Sequence, residues 1–296
     1  MREGKTWMVT RRTTRRHYLL RPDHDGMLQQ IYWYTTAVLA KKFGIQIHAV
    51  QMLSTHMHEV LTDTRGLLPA FLRERNRALA NAVKCHRGWP EEVFQRAPAN
   101  CIELFGVEAI LRQIGYTLAN CVEAGLVHSP EAWPGVGVAA HDIGRKTVRA
   151  RRPDVYFDPE NCVWPEEAEL HIQMPEALTD VFGVAGAFKR VRTAVATSVE
   201  KAREAARSAG RFVSTIADVF KVAFRKRSRS FETFGAREPT FAAAGNTDCL
   251  REALQQRRLF YEAYRDAFEA LKQTGERCVP FPEGTWRWVR EVFLPQ

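Results

Sequence analysis

His56-Met57-His58 sets two imidazoles one residue apart, and well downstream Tyr116 and Asn120 stand four apart in a run of helical pattern. Side chains alternate along a strand, so His56 and His58 share a face. Residues four apart on a helix share a face as well. Two neutral imidazoles can ligate a divalent metal, and an amide oxygen is an acceptable further ligand for a hard cation. A phenol beside them can attack a phosphate that such a metal polarises. The chemistry open to this set is therefore attack on a phosphodiester. Each pair by itself is a weak signal, because His-X-His occurs on ordinary strands and a tyrosine in mid-helix usually packs half-buried. Glu59 points to the face opposite the histidines and is left out of the ligand set. Asp63 reads as the nearest acid, at the far end of the histidine face, and does not make a carboxylate cluster.

The elements that must position these residues are legible in outline. Thr6 to Thr13 reads as a strand, ending in arginines. Asp23 or Asp25 can cap a helix through Met27, Ile31, Tyr34, Val38 and Leu39 to Phe43, with Gly44 as its stop. Gln46 to Met52 and His56 to Thr62 alternate like strands around a short turn at Ser54, which predicts a hairpin. Leu67 to Lys84 is helical, with Pro69 tolerated in its first turn. Asn100 to Phe105 is a further strand, and Val107 to Glu123 a helix ended by Gly125. The order strand, helix, strand, strand, helix, strand, helix predicts an α+β fold in which an antiparallel sheet carries helices on one face.

Beyond this the character changes. Ser129 to Gly137 is rich in Pro and Gly, and Arg145 to Arg152 reads as a basic loop or linker. Pro175 to Phe224 is mostly helical. Lys189 to Arg229 holds 12 Lys or Arg against Glu200, Glu204 and Asp218, a local charge of +9. Arg225-Lys-Arg-Ser-Arg229 opens a polar, poorly structured stretch to about Asn246. Asp248 can cap a last helix to Gln273, with Leu250, Leu254, Tyr261, Tyr264, Phe268 and Leu271 on one side. The aromatic tail (Phe281, Trp286, Trp288, Phe293) should pack onto something. The predicted organisation is a domain over 1–140, a linker over 141–175 and a mainly helical, basic accessory region over 176–296.

The totals fit this picture. The 296 residues are 45% hydrophobic and 26% charged, an ordinary globular balance. A net charge of +9 and a pI near 9.4 favour a polyanionic partner without choosing among DNA, RNA and an acidic membrane. No run approaches transmembrane length, and no signal-peptide pattern opens the chain. The six cysteines include no CxxC pair and read as reduced thiols. The expected location is the cytoplasm, associated with the nucleoid, with no membrane partner.

With those residues in order, the chain resembles the HUH single-tyrosine transposases, and most of all the REP-associated tyrosine transposase group of the IS200-like family. The resemblance rests on LSTHMHEVLTD at Leu53 to Asp63, YTLANCVEAGLV at Tyr116 to Val127 and Trp133-Pro134. It spans roughly residues 6 to 140. It implies the ferredoxin-like HUH fold, and a metal (Mg²⁺ or Mn²⁺) held by His56 and His58 and completed by Asn120. It implies Tyr116 as the nucleophile that forms a 5′-phosphotyrosine and frees a 3′-OH. The implied partner is single-stranded DNA with hairpins, and the implied assembly a monomer or homodimer. Two positions depart from the family pattern: Ser54-Thr55 precede the first histidine where Pro and a polar residue are common, and Cys121 follows the asparagine where Pro is common. Neither change removes a chemical group.

Arg11, Arg12, Arg15 and Arg16 are placed to grip phosphates, and Arg145 to Arg152 and Lys189 to Arg229 can extend the track. Trp7 and Trp33 can stack bases but more often belong to a core. Two other functions compete with strand transfer. One is a protein that grips a DNA or RNA hairpin without cutting it, as a domesticated transposase would. The other is a metal-dependent hydrolase using water, which lacks a second carboxylate cluster.

Overall fold

The computed structural model describes residues 2–229, 239–275 and 279–293. A five-stranded sheet lies at its centre. β1 (Lys5–Arg12) is flanked by β3 (His56–Asp63) and β4 (Asn100–Leu104), and β2 (Ile45–Leu53) pairs with β3 as the predicted hairpin. These pairings are antiparallel. A two-residue strand, numbered β7 (Phe241–Ala242) in chain order, adds to β4 in parallel at the sheet edge. It falls in the stretch expected to be irregular; the part of that stretch over 230–238 lies outside the described residues.

Three helices fill the intervals as expected: α1 (Met27–Phe43), α2 (Leu68–Arg87) and α3 (Val107–Glu123). Gly44 ends α1 in the left-handed conformation at φ 68°, where a Cβ would cost energy. Of the two aspartates expected as caps, one serves. Asp25 accepts from the Met27 N–H at 3.0 Å, while Asp23 faces away and pairs with His86 at 2.8 Å and with Arg87.

The helices cover both faces of the sheet, not one. Arg75 from α2 and Tyr32 from α1 reach Glu59 on β3, whereas Asn120 and Tyr116 from α3 reach His56 and His58. Period-two alternation therefore sends the even and odd residues of β3 into two different layers. The same parity corrects Asp63. It lies with Met57 and Glu59, away from the histidines, and its carboxylate accepts the N–H groups of Arg65, Leu67 and Leu68 at 2.8–3.2 Å where α2 begins.

The segment expected as a basic loop is a strand. β5 (Thr147–Arg151) pairs antiparallel with β6 (Glu167–His171), with Ala150 and Leu170 buried in the core and exposed charges paired across it: Arg149 with Glu169 at 2.7 Å and Arg151 with Glu166 at 3.3 Å. Ion pairs across a ladder compensate for the weak strand propensity of charged residues. Those arginines are thus engaged with carboxylates of their own hairpin.

α4 (Glu176–Ser208) bends at Gly183, whose φ is 66°, and runs along the outer side of α3. The approach is close at Gly115, where a Cβ would lie 2.6 Å from Ser198 Oγ and 2.8 Å from the Ala194 carbonyl oxygen. A short α5 (Ile216–Lys221) follows. α6 (Thr247–Thr274) is capped by Asn246, whose side chain accepts from the N–H groups of Asp248 and Cys249; Asp248 is the first-turn acid, not the cap. Leu250, Leu254, Tyr261, Tyr264 and Phe268 are exposed, so most of that apolar side is open. In the tail, Phe281 is buried beside Ala267, and Val289 of α7 (Trp286–Phe293) is buried in the main core.

His48, at the bulge of β2, is fully buried. Its ring lies 2.8 Å from the Gln173 carbonyl oxygen and 2.8 Å from Thr62 Oγ1. Burial lowers its pKa to about 4, although the bond to Gln173 acts in the opposite direction. The unfolded chain takes up this proton near pH 6.5. Stability is therefore complete above about pH 6.5 and declines as the pH falls toward 4, by about 3 kcal/mol for this one group. Denaturation midpoints at pH 7.5 and 4.5 should show the decline, and His48→Gln should flatten part of it. Equal slopes in both proteins would exclude His48 as a source.

Candidate active site

β3 and α3 build the site. Alternation brings His56 and His58 to one face of β3, with ring centroids 4.9 Å apart. α3 crosses that face and presents Asn120 and, one turn earlier, Tyr116. Asn120 Oδ1 lies 3.2 Å from His56 Nε2. The Tyr116 ring stands edge-on to His58, with centroids 5.4 Å apart. Four side chains from two distant stretches of sequence thus meet in one place.

Each imidazole is oriented from behind. Thr55 Oγ1 lies 2.9 Å from His56 Nδ1, and Thr10 Oγ1 lies 2.8 Å from His58 Nδ1. Thr10 is the direct cross-strand partner of His58. With both Nδ1 atoms held by hydroxyls, the Nε2 side of each ring is the one that could face a ligand. That is the arrangement by which outer hydrogen bonds fix the orientation of metal-binding histidines. In His56 the Nε2 nitrogen is hydrogen-bonded to Asn120 Oδ1, a contact a bound ion would replace. These threonines were not singled out from sequence. Thr55 could have been noticed from its place next to His56, but Thr10 is close only because β1 pairs with β3.

The electrostatics suit neutral ligands. Burial lowers the pKa of His56 to about 4, and the charges of Arg12 and Arg16 add to this, against the hydrogen bond that its Nε2 donates to Asn120 Oδ1. Burial also drives His58 well below its ordinary value, with help from His56 and Arg12. Both rings are therefore unprotonated at neutral pH, the form that binds metal. Among the described residues no three His, Cys, Asp or Glu come together as a metal cluster. The Asn120 amide oxygen, 3.2 Å from His56 Nε2, is the polar atom placed to serve as a third ligand. Two nitrogens and one oxygen form a donor set that a divalent ion such as Mg²⁺ or Mn²⁺ accepts.

Tyr116 is half-exposed, at 37%. Burial and the charge of Glu123 raise its pKa, while Arg12 and the hydrogen bond with Asn120 lower it. The phenol is thus protonated at rest, with a cation nearby to favour the oxyanion once the proton leaves. Tyr116 and His58 line an open pocket of about 400 Å³, together with Thr10, Arg11, Arg12, Asn100, Arg112 and Gln113. Arg112 was not picked out from sequence, although it lies one helical turn before Tyr116 and shares its face.

The four arginines proposed from sequence divide by role. Arg11 donates to the carbonyls of Gln95, at 2.8 Å, and Ala97. It also lies 5.1 Å over the Phe94 ring. It therefore forms part of the pocket wall, and burial holds its pKa below the usual arginine value. Arg12 is exposed at the pocket edge. Arg15 pairs with Glu91 at 3.4 Å, and the charge of Arg16 reaches His56. Trp7 is a buried core residue and Trp33 is packed against the core; neither faces the site. Trp133 is also buried, donating its indole N–H to the Met52 carbonyl at 2.9 Å.

No helix among the described residues is long and apolar enough to cross a membrane. No family model matches this chain, and no curated protein does. One similar solved structure is that of the REP-associated tyrosine transposase bound to a REP hairpin. It has 20% sequence identity over 56% of this chain and 93% of that chain, with a TM-score of 0.41.

Proposed function

We propose that this protein cuts and rejoins single-stranded DNA through a covalent tyrosine intermediate. The observation that carries the reading is the convergence of His56, His58 and Asn120 with the half-exposed Tyr116, of which His58 and Tyr116 line an arginine-edged pocket. A protein that only grips nucleic acid has no need of a phenol set against two neutral imidazoles.

In this mechanism His56, His58 and Asn120 hold the divalent ion, which when bound polarises the scissile phosphate. Tyr116 Oη attacks the phosphorus and loses its proton to solvent. The bond from phosphorus to the 3′ oxygen breaks, and that oxygen takes up a proton and leaves as a 3′-OH. The 5′ end remains on the enzyme as a phosphotyrosine. Attack by a 3′-OH reverses these bond changes and rejoins the strand. The charge of Arg12, exposed at the pocket edge, favours the developing phenolate and phosphate charge. In the same reading, residues 1–140 carry the chemistry and 176–296 form a basic accessory region, joined by the 141–175 stretch that holds the β5–β6 pair. The substrate class is single-stranded DNA with hairpins.

The test is covalent capture. Protein is mixed with 5′- or 3′-labelled hairpin DNA and Mn²⁺ and run on a denaturing gel. The expected result is a shifted band that retains the label on the 5′-phosphate side. The band should vanish on chelation and in His56→Ala. Hairpin binding without any covalent band, with the flanking hairpins of the host included, would convert the assignment to a binding protein.

A further inference from the structure

The stretch Arg225-Lys-Arg-Ser-Arg229, unstructured by its composition, is docked onto the turn that follows β1. The Tyr18 N–H donates to the Lys226 carbonyl at 3.1 Å, and the Ser228 N–H donates to the Arg16 carbonyl at 3.0 Å. His17, buried at the junction, engages the segment with both ring nitrogens: Nδ1 lies 2.8 Å from the Arg225 carbonyl oxygen, and Nε2 lies 3.2 Å from Arg227 Nε. Phe224 is bracketed by the guanidinium groups of Arg87 and Arg225, each 5.3 Å from its ring.

This docking has an electrostatic result. Arg225, Lys226, Arg227 and Arg229 are all exposed, and they are brought beside Arg12, Arg15 and Arg16. The strap and the turn together carry seven basic residues, of which Arg15 pairs with Glu91 and Arg225 also reaches the Gly88 carbonyl. Gathering that much like charge costs energy in the free protein. Folding holds it together all the same, through backbone and ring contacts.

Building on the strand-transfer reading, we propose that the 225–229 strap and the 12–16 turn together form a phosphate-binding ridge that carries the DNA strand into the Tyr116 pocket. The basic C-terminal region thereby supplies part of the catalytic pocket's own substrate track. Lys226 and Arg229 contact backbone phosphates, and His17 positions the strap without touching DNA.

The experiment is fluorescence anisotropy of a labelled hairpin with a single-stranded flank, titrated at several salt concentrations. It compares the full chain with Lys226→Gln/Arg229→Gln and with His17→Ala. Each phosphate contact contributes about 0.7–0.9 to the slope of log affinity against log salt. The double variant should bind roughly tenfold more weakly at low salt and lose about 1.5 from that slope. His17→Ala should lose a similar amount by releasing the strap, with its melting transition intact. Wild-type binding with unchanged affinity and slope in the double variant would overturn the ridge and leave strand transfer standing. A wild type that binds no hairpin would overturn both.

Discussion

Tyr116→Phe should reduce the covalent protein–DNA band by more than about a thousandfold, as loss of a nucleophile does, while hairpin affinity changes by less than about twofold. The basis is geometric. The substitution removes one oxygen and keeps the ring, and the ring supplies the packing against His58 at 5.4 Å. At 37% exposure the hydroxyl is within reach of a substrate in the pocket. Its pKa is raised by burial and by Glu123, so proton loss must accompany attack, and the nearby Thr10 hydroxyl is held by His58 Nδ1 at 2.8 Å. Gel capture and anisotropy on the same preparations separate the two readouts. A persistent band would remove Tyr116 from the chemistry. Equal loss of band and binding would make it a structural residue.

Arg75→Met should destabilise the fold by about 3–5 kcal/mol, the cost of leaving one partner of a buried ion pair alone. Arg75 and Glu59 are both fully buried. They form two parallel hydrogen bonds of 2.7 and 2.6 Å, and the Tyr32 hydroxyl donates to the same carboxylate. Burial opposes the charge on Arg75, but the facing carboxylate more than offsets it, so its pKa is raised. Burial, then the charge of Glu59, pushes the Tyr32 phenol well above its ordinary value and keeps it a hydrogen-bond donor. Removing the guanidinium strands the carboxylate in the core. Glu59→Gln/Arg75→Met should recover most of the loss, because it removes both charges together. Urea denaturation of the wild type, the single and the double variant measures this directly. A loss under about 1 kcal/mol in the single variant would mean that solvent reaches Glu59.

The ion pair also bears on function. Glu59 lies immediately beyond His58 on β3, facing the opposite layer. A slip of one residue in that strand would exchange the two faces, turning the histidines toward Arg75 and Tyr32 and the carboxylate toward α3. A charged pair that fits only one register therefore fixes the side of the sheet on which the two imidazoles emerge.

Much of this was legible in the residues themselves. Period-two alternation placed His56 and His58 together and sent Glu59 away, and a helical period placed Tyr116 and Asn120 on one face. These are properties of local backbone geometry, set within a few residues. Helix ends followed for the same reason: Gly44 can adopt a positive φ cheaply, and α1 stops there. Asp63 was misplaced at the far end of the histidine face only because the same alternation was not carried through to it.

What the sequence alone determined, then, was the set of elements, their faces and the residue types of the site. Tertiary structure decided everything that depends on pairing between distant segments. Thr10 orients His58 because β1 and β3 are antiparallel in that register. Glu59 meets Arg75 because α1 and α2 share one side of the sheet while α3 takes the other. Thr147–Arg151 became a strand by pairing with β6, where Arg149 and Arg151 meet Glu169 and the adjacent Glu166. The 225–229 segment, without hydrophobic periodicity of its own, was ordered by a buried histidine more than two hundred positions away. Local periodicity carries no information about such partners, because the free energy that selects them arises only when the segments desolvate each other.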